Sequence, residues 1–133
     1  MRLTRRYRFA ASHRLHTSAL SEDENSRLYG KCNNPYGHGH DYVLDVTVEG
    51  SPDSNGQVAN RARFDELVRD RVLSQLDHKN LNEDREEFRE AVPTTENLAM
   101  LVRTLLEKDW DLQPRLSAVR ISETDRNAFT LQV

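Results

Sequence analysis

The amino-acid sequence predicts an α+β domain built on an antiparallel sheet of four strands. Three observations lead to this prediction. Apolar and polar residues alternate in four stretches, two other stretches carry apolar residues at helical spacing, and the six elements follow the order ββααββ. A chain of 133 residues is long enough to bury one core, so we expect a single domain over residues 1–133.

The first two predicted strands each have one apolar face. The first begins near Leu3, and the second runs from about His38 to Glu49. The apolar side chains share one parity in each strand: Leu3, Tyr7, Phe9 and Ala11 in the first, then Tyr42, Leu44, Val46 and Val48 in the second. The polar residues 17–29 between them show no sustained period, so we expect a connecting excursion there.

Two helices are predicted in the middle of the chain. Asn60 is a suitable N-cap for the first, whose pattern is broken near residues 76–82, so that Asp77 and His78 fall in a loop. The second helix follows Pro93, with capping by one of two threonines and a glutamate that suits the helix dipole: Thr94, Thr95 and Glu96. Both apolar stripes are predicted to be core: Phe64, Leu67, Val68, Val72 and Leu76, then Leu98, Leu101, Val102, Leu105 and Leu106.

Two further strands close the chain, joined by a hairpin connection at residues 124–127. Val119, Ile121 and Glu123 share one face of the first of these strands. The carboxylate of Glu123, at the end of an apolar face, is either exposed or directed at a ligand, and the pattern alone favours exposure. Two helices cover only one face of such a sheet and its edge strands need partners, so we expect several copies to join edge to edge.

Composition narrows the class of protein. The 19 basic and 22 acidic residues give a net charge of -3, which offers no support for binding nucleic acid. No apolar run approaches the roughly 18 residues that a membrane helix needs, and no signal peptide is recognisable. The single cysteine cannot form an intrachain disulfide and fits a reducing cytoplasm. We therefore expect a soluble cytoplasmic protein.

The segment Gly30–Asp41 holds the only cysteine, Cys32, and two histidines, His38 and His40. Because side chains alternate along a strand, both histidines point the same way and could share one metal ion. His13 continues the apolar parity of the first strand and is a candidate third ligand. Taken alone, such a histidine pair is as often solvated or packed, and a lone cysteine is more often an inert buried thiol.

Five motifs together resemble one family. FAASHRLH, GKCNNPYGHGHDY, LDHKNLN, PTTENLA and ETDRN occur in the order and at the spacing of the 6-pyruvoyltetrahydropterin synthase family, over residues 7–129. The resemblance implies the tunnelling fold (T-fold). In this fold three subunits close a twelve-stranded antiparallel barrel, and two such trimers stack into a homo-hexamer.

The same resemblance implies roles for residues at the matching positions. Three histidines match the zinc ligands: His13, His38 and His40. Cys32 matches the general base, and Asp77 and His78 match its catalytic partners. Glu123 matches the carboxylate that anchors the pterin ring, in a pocket also lined by Thr94, Thr95 and Glu96.

The implied reaction is zinc-dependent elimination of triphosphate from 7,8-dihydroneopterin triphosphate, which yields 6-pyruvoyltetrahydropterin in tetrahydrobiopterin biosynthesis. Mg²⁺ is expected to accompany the triphosphate, with Lys31, Arg14 and Lys79 as candidate cationic contacts. Tautomerisation moves hydrogen within the substrate, so no nicotinamide is needed, and the chain has neither GxGxxG nor a P-loop.

Two alternatives remain. In 6-carboxytetrahydropterin synthases, which serve queuosine and deazapurine biosynthesis, the cysteine commonly lies four positions before the first histidine of HGH. Here Cys32 lies six positions before His38, which favours the pyruvoyl-forming branch. The other alternative is a non-catalytic zinc- or pterin-binding protein. Asp41 and Tyr36 depart from the family pattern without touching a matched ligand, and we interpret them as tuning the site.

Overall fold

A computed structural model describes residues 1–133 as one sheet with helices packed against it. The sheet has five strands in the order β3-β1-β2-β4-β5. Their bounds are Arg2–His13 (β1), His38–Glu49 (β2), Lys79–Asn80 (β3), Arg115–Ser122 (β4) and Ala128–Gln132 (β5). The predicted α+β class is confirmed, and four of the strands pair antiparallel as expected.

The sheet has one strand more than the four predicted, because β3 pairs parallel with β1. Strand β3 contributes two residues, Lys79 and Asn80, which lie opposite Ala11 and Ser12. A strand of two residues is too short to show alternation, and the sequence around it reads as the loop after a helix.

Five α-helices accompany the sheet: Glu22–Tyr29 (α1), Arg61–Val68 (α2), Ser74–Leu76 (α3), Leu81–Asp84 (α4) and Thr95–Glu107 (α5). A π-helical segment, Arg69–Leu73, joins α2 to α3, so one helical run spans the predicted first helix. Its cap is the predicted one, since Asn60 accepts a hydrogen bond from the Arg63 amide at 3.0 Å. No helix has both the length and the apolarity needed to cross a membrane.

The core lies between one face of the sheet and the two long helical runs. It contains most of the predicted helix stripes together with Phe9 and Ala11 of β1, and Leu3, Tyr7 and Leu105 pack against it partly buried. The alternate positions form a polar face, where the carboxylate of Asp45 accepts hydrogen bonds from Arg6 at 2.8 and 3.0 Å. The side chains that approach the helices are therefore those that share the parity of His13 and His40.

The expected excursion at residues 17–29 is instead partly helical, since α1 occupies its second half. Ser21 and Glu24 form a capping box, with each side chain bonded to the other residue's amide. The helix lacks an apolar stripe, because its one buried residue is Asn25, whose amide group donates to the carbonyls of Thr17, Leu20 and Ser21. Polar anchoring of this kind leaves no hydrophobic period in the sequence.

Candidate metal centre and active site

Three strands bring chemically active residues to one end of the sheet. In the antiparallel register, His13 at the end of β1 lies opposite His38 at the start of β2. The last residue of β4, Ser122, lies opposite Val43 of β2, so Glu123 follows immediately at the same end. In an antiparallel pair, the end of one strand lies beside the start of the other. Residues far apart in the chain therefore meet at this end of the sheet.

Four donor atoms converge at this end of the sheet. The Nε2 atoms of His13 and His40 are 3.0 Å apart. The Oε1 atom of Glu123 lies 3.1 Å from His40 Nε2 and 3.7 Å from His13 Nε2. The Sγ atom of Cys32 lies 3.6 Å from His40 Nε2, and all four donors are within 4.8 Å of one another. Imidazole, thiolate and carboxylate are the protein ligands of zinc, so this group could hold one metal ion.

A main-chain contact on the side away from the other donors fixes the orientation of the His13 ring. Its side chain is fully buried, and Nδ1 lies 2.9 Å from the carbonyl oxygen of Pro93. A carbonyl can only accept, so Nδ1 carries the proton and donates, which leaves the lone pair of Nε2 facing His40 and Glu123. The hydroxyl of Tyr42 lies 3.3 Å from the same Nδ1. Metal-binding histidines typically have such an acceptor behind them.

Burial sets the protonation of the cluster. Desolvation lowers the pKa of His13, against the opposing effects of the Pro93 hydrogen bond and the charge of Glu123. Desolvation also lowers the pKa of His40, and the neighbouring His13 lowers it further. Both rings therefore favour the neutral form that binds metals. Without a metal, desolvation and then Glu123 raise the pKa of the Cys32 thiol.

Cys32 reaches the cluster because the excursion that carries it folds back onto the segment after β1. It lies in the 3₁₀ turn Gly30–Asn33, which directly follows α1. The Cys32 carbonyl accepts from the Leu15 amide at 2.7 Å, and the Asn33 side chain donates to the Leu15 carbonyl at 2.8 Å. These two bonds fasten the turn to the segment that follows His13.

His38 lies beside the four donors without being one of them. Its side chain is exposed, and its ring centre is 4.7 Å from that of His40 at an angle of 76°. The converging group of donors consists of His13, Cys32, His40 and Glu123. The predicted ligand set of three histidines and the observed group therefore share two residues.

Asp77 and His78 lie at the other side of β1, just past α3 as expected. Asp77 Oδ1 accepts from the Ala10 amide at 2.9 Å, and the His78 amide donates to the Ala10 carbonyl at 2.6 Å. The His78 side chain is 83% exposed, and its Nε2 is 3.7 Å from Asp77 Oδ2. No hydrogen bond or ion pair joins either residue to Cys32 within one chain.

The residues expected around the pterin ring occupy the start of α5, next to Pro93. Thr94 caps the helix by accepting from the Asn97 amide at 3.2 Å, and Glu96 is exposed. The hydroxyl of Thr95 is the only buried side-chain polar atom without a hydrogen-bond partner. Leaving such a group unpaired costs about 1–3 kcal/mol, so the Thr95 hydroxyl is available to a ligand or to water.

The candidate triphosphate contacts border different surfaces. Lys31 lines a cleft of about 370 Å³ together with His38, whereas Lys79 lines a cleft of about 530 Å³ together with His78 and Asp41. The Arg14 Nε donates to the Asn33 carbonyl at 3.3 Å. Tyr36 is 94% exposed.

Sequence reasoning missed two groups that support His13. Tyr42 shares the parity of His40, so its approach to the cluster could have been inferred from strand alternation. The Pro93 carbonyl could not, because a main-chain acceptor leaves no mark in the residue pattern. The contact of Glu123 with both histidine rings was also not expected.

Comparisons with known proteins agree with the motif resemblance. The family described as 6-pyruvoyl tetrahydropterin synthase matches residues 2–132. A human protein named 6-pyruvoyl tetrahydrobiopterin synthase is 44% identical over 126 residues, which cover 94% of this chain and 86% of the human protein. The namesake from Poecilia reticulata is 44% identical over 132 residues, covering 94% of this chain and 85% of that relative.

A solved structure shows the same architecture. The 6-pyruvoyl tetrahydropterin synthase of Caenorhabditis elegans superposes with a TM-score of 0.90 at 37% identity. The match covers 100% of this chain and 95% of that chain. The Plasmodium falciparum enzyme of the same name, at 16% identity and a TM-score of 0.66, shares the fold.

Proposed function

The chain belongs to the 6-pyruvoyl tetrahydropterin synthase family, and on that premise we propose that it is a lyase that converts 7,8-dihydroneopterin triphosphate to 6-pyruvoyltetrahydropterin and triphosphate. The observation that carries this proposal is the convergence of two histidines, a cysteine and a glutamate at one end of the sheet. These are the groups that a metal-assisted proton abstraction needs. Family membership indicates the substrate, and the four converging side chains indicate where the reaction would take place.

The proposed metal is one zinc ion per chain, held by His13, His38 and His40. Support comes from the 3.0 Å separation of the His13 and His40 nitrogens, from the Pro93 carbonyl behind His13 and from the position of His38 beside His40. When bound, zinc supplies a Lewis acid that stabilises negative charge developing on the substrate's side chain. Three neutral imidazoles leave a position open for substrate.

Cys32 is the proposed general base. Its thiolate takes the proton from a side-chain carbon, the electron pair of that C–H bond moves into the side chain, and the C–O bond to triphosphate breaks with triphosphate leaving. Tautomerisation then yields the dicarbonyl side chain. Hydrogen only moves within the substrate, so the reaction balances without an external oxidant or reductant.

Asp77 and His78 are proposed to assist Cys32 from an adjoining copy. Within one chain the pair is fastened to the Ala10 main chain, and the His78 ring projects into solvent. An exposed catalytic pair beside the short edge strand β3 fits a site completed by association. We propose the homo-hexamer of two trimers that the family resemblance implies, with the strands at the sheet edges forming the contacts.

The pterin ring is proposed to lie between Glu123 and the start of α5. The Glu123 carboxylate would accept from ring N–H groups, and the unpaired Thr95 hydroxyl at the start of α5 offers a donor and an acceptor. Thr94 and Glu96 are proposed to border the same pocket. Lys31, Arg14 and Lys79 are candidates for the triphosphate, together with Mg²⁺. A cytoplasmic location is proposed because the one cysteine, Cys32, must stay reduced.

The experiment is product analysis. The protein is incubated with 7,8-dihydroneopterin triphosphate, with and without a chelator, and the pterins are identified by mass spectrometry. We expect 6-pyruvoyltetrahydropterin and triphosphate, both lost with the chelator. A 6-carboxy pterin with stoichiometric acetaldehyde would assign the protein to the other branch, and absence of any turnover by a folded, zinc-loaded protein would favour a binding protein.

A further inference from the structure

We propose that Asn33 is a positioning residue for the reaction. Its side-chain amide holds the turn that carries Cys32 against residues 14–16, the segment that follows β1, and so sets where the Cys32 thiol lies. The inference rests on the proposed function, in which Cys32 is the general base. It deepens that function by assigning a residue that acts through Cys32 and does not itself touch the substrate.

The turn has no buried apolar side chain to hold it in place. None of its residues, Gly30–Asn33, is buried, and the preceding helix α1 buries only the polar residue Asn25. Burial of apolar area, which stabilises most of the fold, therefore contributes little in this part of the chain. The position of Cys32 is set mainly by hydrogen bonds.

Asn33 makes most of the hydrogen bonds that fasten the turn. Its Nδ2 atom donates to the Leu15 carbonyl at 2.8 Å and lies 3.2 Å from His16 Nδ1. Its main-chain carbonyl accepts from Arg14 Nε at 3.3 Å. The remaining bond to the same segment runs from the Leu15 amide to the Cys32 carbonyl, at 2.7 Å. Three of these four bonds therefore involve Asn33.

The residue type suits this role. An asparagine amide has two N–H donors on its nitrogen and an acceptor oxygen. A carbonyl can only accept, so Nδ2 faces Leu15, and its two hydrogens serve the Leu15 carbonyl and His16 Nδ1. The Oδ1 atom then faces α1, where the Ser26 hydroxyl donates to it at 3.4 Å. Leucine has a similar branched shape but can make none of these side-chain bonds.

The bonds made by Asn33 determine how Cys32 meets the cluster. Cys32 is its neighbour in the chain, and the Cys32 Sγ atom lies 3.6 Å from His40 Nε2. The segment to which Asn33 bonds directly follows His13, whose Nε2 lies 3.0 Å from that of His40. Asn33 therefore fixes the thiol relative to both histidines. Displacing a catalytic group by about 1 Å can lower a rate on the order of 10²-fold.

Alkylation of the single cysteine gives a readout that does not depend on turnover. In metal-free protein, the rate at which iodoacetamide modifies Cys32 depends on how exposed its thiol is. We expect Asn33→Ala and Asn33→Leu to react several-fold faster than the wild type, because the turn is no longer held. Asn34→Ala is the matched control and should keep the wild-type rate, since Asn34 is exposed and its side chain bonds only to the Tyr36 amide.

Turnover tests whether Asn33 acts through Cys32. With one zinc ion bound per chain, Asn33→Ala should lower kcat on the order of 10²-fold and leave KM nearly unchanged. In a Cys32→Ala background the same substitution should cost no more than about twofold, because the base that it positions is absent. Equal losses in the two backgrounds would overturn the proposal.

Circular dichroism establishes that each variant is folded before its rates are measured. Wild-type alkylation rates in both folded Asn33 variants would overturn the proposal. Loss of the fold in both variants would also overturn it, because the amide would then support the core and not the turn alone. If the wild type forms no product, the proposed function fails, whereas the alkylation rates still decide whether Asn33 holds Cys32 in place.

Discussion

The Nδ1 atom of His13 lies 2.9 Å from the carbonyl oxygen of Pro93, and this contact joins the metal centre to the start of helix α5. Pro93 directly precedes Thr94 and Thr95, the residues expected at the pterin ring. One main-chain segment therefore contacts His13, a proposed metal ligand, and carries the proposed pterin contacts. The start of α5 therefore belongs to the proposed site, although the apolar stripe of this helix belongs to the core.

Replacing His13 should remove the metal. His13→Ala removes one of the three proposed zinc ligands, so we expect loss of stoichiometric zinc by elemental analysis. His16→Ala is the matched control, because His16 lies outside the four converging donors and should keep one zinc per chain. Full zinc in folded His13→Ala would place the metal elsewhere.

Cys32→Ala should separate chemistry from metal occupancy. At saturating zinc we expect one ion per chain by elemental analysis, while turnover falls roughly 10²–10⁴-fold, which is the usual contribution of a positioned base. Near-normal turnover would mean that another group removes the proton, with His78 the next candidate.

Thr95→Val and Thr94→Val form a matched pair at the start of α5. The Thr95 hydroxyl is buried without a partner, so removing it should leave the free energy of unfolding unchanged or raise it by about 1 kcal/mol, and should raise KM. Thr94 caps the helix, so its replacement should cost about 1 kcal/mol. Denaturant unfolding and steady-state kinetics measure both effects. An unchanged KM in Thr95→Val would remove Thr95 from the pocket.

The ion pair between β1 and α2 should stabilise the fold at neutral pH and lose this effect in acid. Arg5 donates two hydrogen bonds to Asp65, at 3.0 and 2.6 Å, and Tyr7 donates a third at 2.7 Å. The Arg5 hydrogen bond is the largest cause of the lowered pKa of Asp65, against the opposing effect of desolvation. A lowered folded pKa stabilises the fold above the unfolded value of 3.8, and this stabilisation is lost as pH falls through the folded pKa.

Asp65→Asn should therefore be destabilised by about 1 kcal/mol at neutral pH, as expected for a partly exposed ion pair. The difference in free energy of unfolding between this variant and the wild type should shrink below about pH 4. Thermal unfolding across pH measures this difference, and a deficit that stayed constant down to pH 2 would show that the charge of Asp65 contributes nothing.

Assembly can be tested by mixing two inactive variants. If His78 acts on Cys32 of an adjoining copy, co-expressed Cys32→Ala and His78→Ala chains should recover part of the activity that each lacks alone. Light scattering should give a mass near six times 15.4 kDa. A stable monomer, or no recovery in proven mixed oligomers, would contradict a site shared between copies.

The sequence predicted the elements whose side chains alternate or repeat toward the core. The strand carrying Phe9 and the helix carrying Phe64 were predicted because burial imposes a period on them. Helix α1 was not predicted, since its anchor is the polar residue Asn25. Strand β3 was not predicted because two residues show no period.

The candidate site was likewise predicted only in part. The shared parity of His13 and His40 follows from strand alternation, and the structure does bring their nitrogens together. The approach of Glu123 to both rings depends on the pairing of β4 with β2, which no local pattern reveals. The separation of His78 from Cys32 likewise depends on tertiary contacts, since the His78 segment pairs with the edge of β1 and the Cys32 turn is bonded to Leu15 beyond its end.

Titration of the metal-free protein with zinc tests most directly whether a metal held at the His13–His40 centre enables elimination of triphosphate from the pterin substrate. Formation of 6-pyruvoyltetrahydropterin should be absent without metal, rise in proportion to added zinc, and saturate at one ion per chain. Full turnover by protein shown to contain no metal would contradict the account.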